Sequence, residues 1–145
     1  MEPEFTPLSN AVWAQRVAAA CALPDPRLNR RLSGILVDTL DQPAVSIPQA
    51  TGGNAGQAKA TYRFYDNGRV TGTQVNQGAG LETAARCLDP PVLRVIQDTT
   101  VLNFTGLHVM AELGPINGGS LARGMHVHNT LALTATGQMI GLLDQ

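Results

Sequence analysis

VLRVIQDTTVLNF (Val92–Phe104) is the stretch on which the fold turns. β-Branched and aliphatic residues crowd both of its ends, which is the signature of a strand rather than a helix. Gln97, Asp98, Thr99 and Thr100 interrupt it with a polar break. Pro90-Pro91 stands immediately before it and separates two kinds of sequence. Upstream, the caps and the apolar spacing are those of helices. Downstream, His126–Thr134 and Gln138–Leu143 read as two further strands, with Ala135-Thr136-Gly137 as the tight turn between them. The expected fold is α+β: an all-helical N-terminal part, residues 1–90, followed by three antiparallel strands in residues 91–145.

Four helices are expected upstream. One runs from Asn10 to Ala22, with Asn10 as cap and Pro24 as stop. The next begins with Asp25 as cap and Pro26 in the first turn and runs to Leu40. Its Leu28, Leu32, Ile35 and Leu36 form a core stripe, while Arg27, Arg30 and Arg31 cluster on the opposite side. A loop containing Pro43, Pro48, Gly52 and Gly53 leads to a helix over Ala55–Asp66, which carries Lys59, Tyr62, Arg63 and Phe64. A last helix covers Thr73–Leu88, weakened by Gly78 and Gly80.

Composition excludes several classes. Ten basic and eleven acidic residues leave a net charge of −1, so the chain is no polycationic tail, although a local basic patch remains possible. Charged residues make up only 14%, against about 25% in ordinary soluble proteins. Part of this surface is expected to be covered by something else. No apolar run approaches the length of a membrane helix, and the acidic N-terminus is no secretory signal. Cys21 and Cys87 read as small apolar residues of a reduced, cytoplasmic protein. The glycine pairs Gly52-Gly53 and Gly78-Ala79-Gly80 lack the pattern of a phosphate loop.

Asp98 carries the most chemical information. A carboxylate within an apolar strand is costly unless it is paired or binds a cation. It reads either as a strand-end residue capping a turn with Thr99 or Thr100, or as a ligand for magnesium or manganese, which prefer hard oxygen donors. His126 and His128 alternate and so share a strand face. A small metal site built from Asp98, His126 and His128 is a further reading.

Four segments in order resemble the N-terminal third of bacterial cut-and-paste DDE transposases of the insertion-sequence-four family. They are WAQRVAAACALPDPRLNRRL (Trp13–Leu32), SIPQATGGNAGQAKATYRFYDN (Ser46–Asn67), VIQDTT (Val95–Thr100) and RGMHVHNTLALTATGQMIGLL (Arg123–Leu143). The resemblance implies that residues 1–90 bind the double-stranded DNA of transposon ends. It implies that residues 91–145 begin an RNase H-like catalytic domain, with Asp98 as first carboxylate of the triad. Arg27, Arg30, Arg31, Lys59 and Arg63 are then the expected DNA contacts, and Phe64 is expected in the core. The complete enzyme would use Mg2+ or Mn2+ held by Asp98 and two further carboxylates. Those two are not matched: Asp144 follows the third strand too closely, and Glu112 lies in a connection. The expectation is therefore a truncated transposase that binds ends, holds no metal stably, and neither nicks nor joins DNA alone. Its partners besides DNA would be a full-length transposase, which it could inhibit, or itself.

Overall fold

The computed structural model describes residues 5–106, 113–116 and 121–145. Five helices come first: α1 (Asn10–Ala20), α2 (Pro26–Asp41), α3 (Ile47–Ala50), α4 (Ala55–Tyr65) and α5 (Gly72–Arg86). Four antiparallel strands follow: β1 (Leu93–Asn103), β2 (Gly114–Pro115), β3 (Arg123–Thr134) and β4 (Met139–Asp144). The α+β arrangement is the one expected.

Local chemistry explains the helix starts. Ser9 caps α1, accepting the Val12 N–H, so the cap falls one residue before Asn10. Asp25 caps α2 by accepting the Arg27 N–H at 2.8 Å. Asn54 caps α4, and Thr71 caps α5 in a reciprocal arrangement with Gln74. α3 replaces part of the expected loop. The Gln49 side-chain oxygen accepts from both the N–H and the hydroxyl of Ser46, which organises a single turn too short to show any apolar period.

α1 packs against α2 and α5, and α2 against α3 and α4. Between them lies a core of Val17, Ala18, Cys21, Leu23, Leu32, Ile35 and Phe64, flanked by Trp13, Leu28 and Leu36. Gly78 is what lets α5 approach α1. A methyl group there would lie 2.7 Å from the Cys21 Cα, so the glycine serves packing rather than weakening the helix. The Asn29 amide donates to the Ala18 carbonyl and ties α2 to the end of α1.

In the sheet, β3 is central. β1 pairs with it in unbroken register from Leu93↔Thr134 to Asn103↔Gly124. β2 and β4 share its other side. β2 was not expected: two residues show no alternation, and Pro115 lacks the N–H that marks a strand. The polar break in β1 is no break. Gln97 opposes Thr130, Asp98 opposes Asn129 and Thr99 opposes His128, so polar residues continue the ladder on both strands. Gly137, at φ +87, closes the turn into β4.

The helices and the sheet meet where β4 lies on α5. Gly80 abuts the Leu143 carbonyl, and Gly141 faces Thr83 and Arg86. Beneath this contact Glu82 is buried. It accepts from Arg86 Nε at 2.9 Å and lies 3.1 Å from Arg16 Nε. The second contact is an ion pair set off the N–H axis, so Glu82 Oε1 has no directed hydrogen bond. This triad ties α1 to α5 beneath the strand. The composition had given no hint of it, because Glu82 reads in sequence as an ordinary solvated helix residue.

Candidate nucleic-acid interface

α2 exposes its arginines because its apolar residues recur at helical spacing and are drawn into the core. Leu32 and Ile35 are buried, while Arg27, Arg30 and Arg31 are exposed. The three are not equivalent. Arg27 is clamped onto the capping carboxylate of Asp25, with Nη2 donating at 2.9 Å and Nε at 3.2 Å. The Arg27 guanidinium lowers the Asp25 carboxyl to about 2. Among the described residues, Arg30 and Arg31 enter no salt bridge.

α4 supplies the second basic set. Ala58, Thr61 and Phe64 are buried, as expected for Phe64. Lys59, Tyr62, Arg63 and Asp66 therefore lie together on the opposite face, three and four residues apart. They line a groove of about 550 Å³ whose other wall is Pro48, Gly53, Asn54 and Ala55. The groove combines two cationic side chains and the N-terminal turn of α4, where the helix dipole favours an anion. Asp66 adds one opposing charge at the far end. Lys59 and Arg63 are exposed, and among the described residues neither is salt-bridged.

The groove brings together Lys59 and Arg63 but none of the α2 arginines. Contact between α2 and α4 places the two basic sets on neighbouring helices. A duplex has one phosphate charge about every 1.7 Å of its axis. Two basic helices side by side suit such a repeating ligand better than they suit a single small anion.

Asp98 stands apart, in the middle of β1 and exposed. The reading of Asp98 as a turn cap at a strand end is overturned by the continuous ladder on either side of it. A site of Asp98 with His126 and His128 is overturned as well. Asp98 shares a sheet face with its partner Asn129, whereas His126 and His128 alternate onto the other face. There the Nδ1 of His128 lies 2.7 Å from the Thr99 hydroxyl. Asp144 ends β4, with β3 between it and β1, a separation of about 10 Å. Among the described residues, no three His, Cys, Asp or Glu side chains gather as a metal site. Glu112 lies outside the described residues. Cys21 is buried and Cys87 half-buried, and burial pushes both thiols up, away from the thiolate form.

Among the described residues, no helix is long and apolar enough to cross a membrane. No curated protein matches the chain. Residues 10–70, the segment that holds α1 to α4 and all five basic residues named above, match the family model described as transposase DNA-binding.

Proposed function

We propose that this chain binds the double-stranded DNA of transposon ends through α2 and α4, with Arg30, Arg31, Lys59 and Arg63 on phosphates. The observation that carries this reading is the coincidence of the matched segment with four exposed cations that have no acidic partner among the described residues. A guanidinium already held by a carboxylate must give up that pair to reach DNA, so Arg27 contributes less.

Binding is tested by fluorescence anisotropy of the purified chain with end duplex against scrambled duplex, over a series of salt concentrations. Each of Arg30→Ala, Arg31→Ala, Lys59→Ala and Arg63→Ala lowers the salt slope by about one. Arg27→Ala changes it less. Slopes untouched by all four substitutions would overturn the assignment.

We read β1–β3–β4 as the opening of an RNase H-like sheet, with Asp98 as the first carboxylate of a DDE triad of the insertion-sequence-four type. Supporting this are the central position of Asp98 on the first long strand and the antiparallel order of the next two. The described residues do not fit a pair of magnesium or manganese ions, because no three His, Cys, Asp or Glu side chains gather at Asp98 or anywhere else among them. Transposition by strand nicking and transfer needs a triad that the described residues do not assemble, and on this reading they occupy ends without cutting them. A second reading, a regulator that holds ends and pairs with full-length transposase, is favoured by the outer edge of β1, which no described strand pairs. Incubation with end DNA and Mg2+ or Mn2+ checks both: the expected result is bound but intact DNA, and cleavage products would refute it.

A further inference from the structure

We propose that the outer edge of β1 pairs with the same edge of a second copy of this chain, antiparallel about a two-fold axis at Ile96. β1 is exposed along its whole length, and among the described residues it has a neighbour on one side only, β3. The opposite side of the sheet differs, because β4 rests on α5. Val95 and Ile96 are 56% and 48% exposed. A long, flat, apolar edge with a free row of N–H and C=O groups is a template for another strand.

The hydrogen bonding of β1 restricts how it could pair. Phe104 donates its N–H to the Arg123 carbonyl at 2.8 Å, and the register from there to Leu93 is unbroken. Even-numbered residues therefore turn their N–H and C=O groups toward β3, and odd-numbered residues turn theirs outward. In an antiparallel pair, outward residues must face outward residues. A strand meeting its own copy can then be centred on one residue facing itself.

The charges select the residue. Arg94 and Asp98 are the charged side chains of β1, and Ile96 lies midway between them on the same face. With the axis at Ile96, Arg94 of each copy faces Asp98 of the other. Both ion pairs and the Ile96–Ile96 contact occupy non-hydrogen-bonded positions, where side chains stand closest, with Cα atoms about 4.5 Å apart. Val95 then faces Gln97, and Leu93 faces Thr99, as the hydrogen-bonded pairs. An axis at Arg94 or Asp98 would instead oppose like charges. The favoured register joins both sheets through β1 and closes on itself, as a two-fold contact must. It requires nothing of the DNA-binding helices.

Sedimentation velocity of the full chain at micromolar concentration tests the proposal. The expected species is a dimer. Asp98→Arg sets arginines opposite each other and weakens dimerisation at least tenfold. The Arg94→Asp/Asp98→Arg exchange restores it, which also shows that the single substitution did not merely unfold the sheet. Ile96→Cys gives an intermolecular disulfide on oxidation, since the facing Cα atoms are within disulfide range. Val101→Cys, outside the paired span, and the unsubstituted chain do not. A monomeric wild-type chain, open-ended aggregates, or an Asp98→Arg chain that dimerises like wild type would each overturn the proposal.

Discussion

The helical part and the sheet treat their apolar residues in opposite ways. α1, α2 and α4 bury Val17, Ile35 and Phe64 in one core and turn their charges outward. β1 leaves Leu93, Val95, Ile96, Val101 and Leu102 exposed. The first region has completed its packing within residues 10–86. The second has paired its backbone on one side of β1 but has not covered its side chains. Low overall charge follows from this division, because strands built to be covered carry few charged residues.

Substitutions separate the two regions, and the largest effect belongs to the helical core. Phe64→Ala costs about 3–5 kcal/mol by leaving a cavity in close-packed surroundings, which urea denaturation followed by circular dichroism measures. Glu82→Ala probes the joint between the regions. It leaves the buried Arg86 without its carboxylate and costs about 3 kcal/mol. The paired replacement Glu82→Leu/Arg86→Met recovers most of that loss, because no buried charge is then left unpaired. Val101→Thr on the open strand keeps the side-chain shape, and its 37% exposure keeps the change within about 0.5 kcal/mol. A loss as large as that at Phe64 would mean the sheet is covered after all.

The smallest effect is electrostatic. Asp25 lies half-buried under the Arg27 guanidinium, which lowers its carboxyl from 3.8 to about 2. A depressed carboxylate stabilises the folded chain above its unfolded value and loses that contribution as pH falls toward the folded one. The Asp25–Arg27 contribution is therefore complete above about pH 4 and fades between 4 and 2. NMR titration of the Asp25 carboxyl checks the midpoint, and Arg27→Ala returns it toward the ordinary range.

Much of the candidate interface was legible because it depends on local rules. Asp25-Pro26 announces the start of α2, and apolar spacing assigns Leu32 and Ile35 inward and Arg30 and Arg31 outward. Lys59 and Arg63 were expected on DNA through the resemblance, and their shared face on α4 is what the structure adds. Local reasoning missed the clamp of Asp25 on Arg27, which needs a side-chain conformation rather than a spacing. It also misjudged the polar run in β1, because the partners that continue the ladder, Asn129 and Thr130, come from a distant strand.

By itself the sequence determined the helix-then-strand order, the basic face of α2 and the place of Asp98, since periodicity, caps and β-branching act within a few residues. Only the tertiary structure decided what those elements touch. It made Gly78 and Gly80 points of close approach, buried Glu82 between two arginines, and split Asp98 from the histidines by the parity of a strand pair. Each of these depends on residues far apart in the chain, whose meeting is set by packing and register rather than by any local pattern.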